Sequence, residues 1–214
     1  MAQTHPAAQG PQEEAAIILV SGTPRSGTSL MMQMLEAAGV PLQVDHRRPA
    51  DASNPRGYFE LEAVKATRRD AGWVSEASGR AVKVIHAHLA HLPPERSYRV
   101  LWMERDAREV VASQNRMLAR SGDDAAGVSE ARLIDLQERQ ATAGRTLLEE
   151  APHFEWLPVS HAALLRDPMA VAREVVAFLG LDAPAAALAA VVDPRLYRER
   201  TPGDEAAAGD PARA

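Results

Sequence analysis

No cysteine occurs in the 214 residues, which excludes disulfides, thiolate metal sites and cysteine nucleophiles. Long apolar runs are missing too. The longest β-branched stretch, AAIILV, falls far short of the ~18 consecutive apolar residues that a membrane span needs. A basic excess is lacking, since 29 acidic residues face 24 basic ones for a net charge of −5. That balance argues against a general nucleic-acid or membrane-surface binder. Aromatic residues make up only 4%, and the three tryptophans, Trp73, Trp102 and Trp156, read as core residues before stacking platforms. The N-terminal MAQTHPAAQGPQEE has no basic segment followed by an apolar one, so a cytoplasmic location is expected. No internal repeat is present. The size fits one domain over residues 15–200 between polar tails, 1–14 and 201–214, both expected to be disordered.

What is present is concentrated in AAIILVSGTPRSGTSLMMQMLEAAG, residues 15–39. A short apolar strand breaks into a glycine-containing loop and resumes as a helix, so backbone N–H groups converge at the helix start and favour an anion. Another absence then decides the chemistry. The lysine that precedes Ser/Thr in the NTPase P-loop is here Thr28, and the one cation inside the loop is Arg25. A planar guanidinium in an amide cradle suits a transferable tetrahedral group better than it suits ATP hydrolysis.

Strands alternate with helices along the rest of the chain. Strands are expected at residues 17–20, 40–44, 81–85, 98–103 and 156–159, and helices at 28–38, 60–76, 106–118, 129–150 and 168–179. In the first helix Leu30, Met34, Leu35 and Ala38 are expected to face inward. Asp106 and Glu109 form a capping pattern ahead of Val110, Val111, Met117 and Leu118, and the long helix is expected to bury Leu133, Leu136, Ala143 and Leu147. Asp167 with Pro168 starts the last helix, Val171, Val175, Phe178 and Leu179 line it, and Gly180 ends it. This order implies a three-layer α/β/α domain with a parallel sheet, whose ligand sits beyond the carboxyl ends of the strands. Arg25, Arg47, Arg48, Arg56, Arg105 and Arg108 are candidates to gather there.

TPRSGTS, residues 23–29, resembles the 5′-phosphosulfate loop of sulfotransferases that use 3′-phosphoadenosine 5′-phosphosulfate (PAPS). VLWMERDAREVVASQNRM is similar to the family's strand ending in Arg with a Ser eight residues on, which supplies Arg105 and Ser113. SHAALLRDPMAVAREVVAFLGL is similar to its closing Asp-Pro helix, and NPRGYFE, residues 54–60, to a stretch of bacterial members. The resemblance implies a sulfotransferase-like P-loop fold and transfer of a sulfuryl group from PAPS to a small-molecule hydroxyl or amine. It assigns Pro24, Arg25, Ser26, Gly27, Thr28 and Ser29 to the 5′ end of the donor, and Arg105 with Ser113 to its 3′-phosphate. No metal is expected, because Arg and amides take its place.

For the catalytic base the resemblance leaves two choices. VKVIHAHLAHLPP offers His86, seven residues before Pro93, with Lys83 near it, while NPRGYFELE offers Glu60. The family's C-terminal 3′-phosphate motif is missing, and Arg195, Arg198 or Arg200 are its possible substitutes. Residues 43–58 and 117–129 are expected to shape the acceptor site, with SGDDAAG as a lid. A kinase-like phosphotransferase is the competing enzyme class, set back by Thr28 and by the lack of a strand-end Asp for Mg²⁺. A non-catalytic nucleotide-binding member of the fold is the other competitor.

Overall fold

A computed structural model describes residues 15–51, 54–121 and 128–193. Both tails, residues 122–127 of the expected lid, and Arg195, Arg198 and Arg200 lie outside the described residues.

Four parallel strands form the sheet: β1 Ile17–Gly22, β2 Ala81–Lys83, β3 Tyr98–Glu104 and β4 Phe154–Ser160, in the order β2-β1-β3-β4. The period-two geometry of a strand sends alternate residues to opposite faces. Ile18, Val20, Leu101 and Met103 pack on one side against Met31, Met34 and Leu35 of α1 (Thr28–Ala37) and Val171 and Val175 of α6 (Pro168–Leu179). Ile17, Leu19, Val100 and Trp102 pack on the other against Leu89 of α2 (His86–Leu89), Leu148 of α4 (Glu130–Glu150), and Trp73 and Val74. The expected three-layer α/β/α domain is the observed one. Trp73 and Trp102 are core residues, and the Trp73 indole donates to Thr67 Oγ1 at 3.0 Å.

The helix signals that hold are local ones. Asp167 accepts from the Ala170 amide at 3.0 Å, Pro168 occupies the first turn, and Gly180 closes α6 in a left-handed conformation (φ 64°). Three expectations change. Residues 60–76 do not form one helix but two 3₁₀ turns, Glu62–Ala66 and Gly72–Glu76. Phe59 enters the segment at φ 53°, outside the helical region, and Asp70 ties up the Gly72 amide at 2.8 Å, so the chain turns instead of continuing. Residues 40–44 contribute only a single parallel bridge, Leu42 to Ala81, at the sheet edge. Three short helices are absent from the sequence reading: α2, and α5 (His161–Arg166) and α7 (Ala185–Ala189), which flank α6.

The long helix α4 appears as expected, but its buried face is rotated. Gln137, Gly144 and Leu148 point inward, whereas Leu136 is 47% exposed and Ala143 lies outside. The cause is Trp102. A Cβ at position 144 would overlap its indole, so glycine is what lets α4 approach the sheet. Gly144→Ala gains about 1 kcal/mol of helix propensity, against about 1–3 kcal/mol of overpacking when neither backbone nor indole has room to retreat. A lower urea midpoint is expected for Gly144→Ala; an unchanged or higher one would show that the contact is soft.

The topology places the site. The chain leaves β1 for β2 on one side, then crosses to β3 on the other, which opens a crevice at the carboxyl ends of β1 and β3. Register does the rest: Lys83 pairs with Val20, Gly22 with Met103, and Glu104 with Ser160. Lys83, the loop after Gly22, Arg105 and His161 therefore arrive along one edge.

Candidate functional site

The loop between β1 and α1 is held in conformations that few residues adopt. Gly22 and Gly27 have φ of 144° and 104°, and Arg25 has φ 70° despite its side chain. At Gly22 a Cβ would lie 2.7 Å from Met103 O, and at Gly27 it would lie 2.7 Å from the His161 ring. Glycine is needed at both. Helix α1 starts at Thr28 with no side chain capping it, and Met31 N–H is bonded to Gly27 O at 3.1 Å, which leaves the preceding amides without intrahelical acceptors. Ser26 Oγ is fully buried beneath the loop and has no hydrogen-bond partner among the described residues. These are the features of an anion cradle.

Two arginines flank the cradle. Arg25 Nε donates to Ser113 Oγ at 3.0 Å, and Arg105 Nη1 donates to the Arg25 carbonyl at 3.2 Å. Helix α3 (Ala107–Ser121) begins just after Arg105, and Ser113 sits two turns in, so the eight-residue spacing puts both beside the loop. Arg105 Nε also pairs with Glu109 Oε2 at 2.9 Å, and both side chains are almost fully buried. Burial pulls the Arg25 guanidinium below its ordinary value. A group that starts so high remains a cation at neutral pH.

The described part of residues 45–60 folds over the first turn of α1. Ser29 Oγ accepts from Asn54 Nδ2 at 2.9 Å and from Lys83 Nζ at 3.1 Å, and donates to Tyr58 O at 3.3 Å. That is the full capacity of a hydroxyl. In this arrangement the Ser29 side chain faces the strap, and its amide faces the loop. The strap is braced by Tyr58 OH donating to Asp51 at 2.8 Å, and by the Arg48 guanidinium 3.4 Å from the centre of the Tyr58 ring.

A cavity of about 620 Å³ spans both regions. Pro24, Arg25, Gly27, Thr28, Ser29, Arg105 and Ser113 line it, as do Glu60 and Lys83. Of the six arginines proposed to gather, Arg25, Arg48, Arg56 and Arg105 reach the cavity and Arg47 and Arg108 do not, while Arg116 joins them. Met117 and Leu118, expected in the core, line this cavity instead.

Glu60 and His86 end up in different places. Arg48 Nη1 and Lys83 Nζ both approach Glu60 Oε1, at 3.2 and 3.6 Å, and the carboxylate borders the cavity. His86 starts α2 outside the cavity lining and beside the backbone of Gly22, and burial pulls its imidazole down. His88, two residues further on, lines the cavity. Burial brings Lys83 down to about 8, against the opposing pull of Glu60.

The depressed Lys83 has a readable consequence. In the unfolded chain this lysine holds its proton to about 10.4, so between pH 8 and 10 the unfolded state binds more protons and stability rises with pH. Relative to Lys83→Met, the wild-type protein is expected to gain unfolding free energy from pH 7.5 to pH 10 in urea titrations. A parallel pH course in the two proteins would show an ordinary lysine.

His161 is the site residue that sequence reading missed. It follows β4 directly, at the start of α5, packs against Gly27 and lines the cavity, and burial with the nearby Arg105 brings it to about 3. It is therefore neutral across the physiological range. The signal available in sequence was its place at the end of a parallel strand, which is where ligands of this architecture sit.

No family model and no curated protein matches the sequence. Solved structures do. The mouse sulfotransferase SULT7A1 complexed with PAP aligns at a TM-score of 0.51 and 16% identity, over 85% of this chain and 63% of that one. The sulfotransferase domain of the Synechococcus PCC 7002 olefin synthase aligns at 0.48 and 17%, over 90% and 86%, and that of the curacin biosynthetic pathway at 0.49 and 15%, over 87% and 79%. At such identities the likeness to SULT7A1 establishes one thing, a sulfotransferase-like α/β fold.

Proposed function

We propose that this protein is a PAPS-dependent sulfotransferase acting on a hydroxyl or amine of a small molecule. One observation carries the reading: two arginines on separate elements, half-buried Arg25 in the amide loop and Arg105 after β3, line one cavity and are linked by the Arg105 bond to the Arg25 carbonyl, with Ser113 held on Arg25 Nε. Two linked cationic points suit a ligand with two separated anionic groups, which PAPS has at its 5′ and 3′ ends. The glycine-only backbone at 22 and 27 fits the same ligand, whereas the Ser26 hydroxyl is fully buried and lies outside the cavity lining.

When bound, PAPS supplies an activated sulfuryl group with a phosphate as leaving group. Residues 24–29 hold the 5′ end, with Arg25 as the cation where negative charge grows on departure. Arg105 and Ser113 hold the 3′-phosphate. Glu60 receives the acceptor proton on Oε2, the oxygen that neither Arg48 nor Lys83 holds. Lys83 and Arg48 fix that carboxylate in place. His86 is the second candidate for the base, with the weaker support of a position outside the cavity lining. The chemistry needs positioning and charge stabilisation, with no metal. Among the described residues no helix is long and apolar enough to cross a membrane. A cytoplasmic location is part of the proposal.

Calorimetric titration with PAP and with AMP, which differ only in the 3′-phosphate, tests the assignment. Wild type is expected to prefer PAP. Arg105→Ala is expected to weaken PAP by about ten- to a hundredfold, equal to ~1.4–2.8 kcal/mol, with a smaller loss for AMP, whose loop Arg105 braces through the Arg25 carbonyl. Equal losses for both ligands reject the 3′-phosphate role.

A further inference from the structure

Glu109 is a carboxylate in a place that should repel the proposed ligand. It is 6% exposed on the first turn of α3, and its Oε2 lies 2.9 Å from the Nε of Arg105. Glu109 lies four residues after Arg105 and Ser113 four residues after Glu109, so Glu109 and Ser113 share one face of α3 and Arg105 stands just ahead of its first turn. Two accounts of such a residue make opposite demands. As a charge counterweight it neutralises Arg105 and holds anion affinity down. As an orienting group it fixes the guanidinium plane, so that the edge used for a ligand is set before the ligand arrives.

The geometry favours the second account. A buried, flexible Arg side chain carries about 2 kcal/mol of rotamer entropy that must be lost on binding, and anchors at two points remove most of that freedom beforehand. Both anchors are present: Nε on Glu109 at 2.9 Å and Nη1 on the Arg25 carbonyl at 3.2 Å. They also connect the two anion sites. The carbonyl that Arg105 holds belongs to the residue at φ 70°, so the same guanidinium supports the strained point of the loop.

We infer that Glu109 is a positioning residue for the 3′-phosphate site: through the reach of its carboxylate to Arg105, it sets the preference for a nucleotide carrying a 3′-phosphate. This rests on the PAPS reading above and adds a residue to it.

The test separates reach from charge. Glu109→Gln keeps the reach and an acceptor oxygen but removes the charge. Glu109→Asp keeps the charge and shortens the side chain by one methylene. PAP and AMP are titrated into each folded variant and into wild type, and the readout is the ratio of the two affinities, which a general loss of stability does not move. Positioning predicts that Gln keeps the wild-type ratio within about threefold and that Asp lowers it by about tenfold, the equivalent of one weakened charge-assisted contact. The reverse pattern, with Gln altering the ratio and Asp preserving it, makes Glu109 a counterweight and overturns the inference. So does any result in which the two variants behave alike. A wild type with no preference for PAP over AMP overturns the PAPS reading itself, and the role of Glu109 with it.

Discussion

Replacing Arg25 with alanine is expected to cut turnover at saturating PAPS by about 10²–10³-fold, the range found when one preorganised donor to a transition-state charge is removed. The expectation comes from how much structure is spent on this one side chain. Its backbone sits at φ 70°, a region that a residue with a Cβ enters only when its surroundings hold it there. Arg105 grips its carbonyl and Ser113 accepts from its Nε, so the guanidinium is preorganised inside the loop proposed to cradle the 5′ end of the donor. A group serving only ground-state affinity would raise KM and leave kcat untouched. Arg25→Lys restores the charge without the planar fork, and an intermediate kcat is expected for it. An unchanged kcat in Arg25→Ala at saturating donor would remove Arg25 from the transferring group and leave it as a binding residue. Thermal unfolding of both variants accompanies the kinetics, because both keep a Cβ at the left-handed position and lose the Nε contact to Ser113, so a fall in stability has to be separated from a fall in kcat.

The site is electrostatically unlike the molecule that carries it. The chain as a whole is acidic at −5, yet its cavity gathers Arg25, Arg48, Arg56, Lys65, Lys83, Arg105 and Arg116 against Glu60 and Asp193. Such a cleft concentrates field lines on an anionic ligand while the outer surface repels polyanions. Net charge by itself gives no support for a general nucleic-acid binder and no hint of this cleft. The arginines that the sequence offers as candidates to gather there are sorted by the fold, which sends Arg47 to solvent on Asp45 and Arg48 onto the Tyr58 ring.

The same distinction separates what the sequence disclosed from what it hid. The β1 strand, the loop and α1 are legible because their causes are local: an unbroken apolar run, glycines where only glycine fits, and a helix that opens without a cap. Asp167, Pro168 and Gly180 mark α6 for the same reason. Features set by distant partners were not legible. The rotation of α4 depends on Trp102, more than forty positions away in sequence, meeting Gly144. Residues 60–76 have a helical composition, and they turn because Phe59 enters at φ 53° and Asp70 captures the Gly72 amide. The similarity of residues 54–60 to a bacterial stretch drew attention to Glu60. What the stretch does physically, Asn54 latching Ser29 and the Tyr58 carbonyl receiving Lys83, required the three-dimensional arrangement. His161 stayed hidden because its neighbours in sequence are apolar and its role comes from register across the sheet.

The base can now be assigned by experiment, with the two candidates no longer equal in position. Glu60→Gln is expected to remove about 10²–10⁴-fold of turnover, the usual contribution of a positioned general base, while PAP binding stays intact. His86→Ala is expected to cost far less. The reasoning is geometric: Glu60 borders the cavity with one oxygen held by Arg48 and Lys83, whereas His86 lies outside the lining against the Gly22 backbone. The pH course adds an independent check, because Lys83 at about 8 should lose its proton within the assay range. Loss of that cation frees one side of the Glu60 carboxylate, so turnover is expected to decline above pH 8 in wild type, and Lys83→Arg is expected to carry the plateau to higher pH. Should His86→Ala abolish transfer while Glu60→Gln retains it, the imidazole is the base and the cavity must rearrange to reach it. Near-wild-type rates from both single variants would leave the acceptor entering already ionised, with Arg25 and the loop amides supplying what catalysis there is.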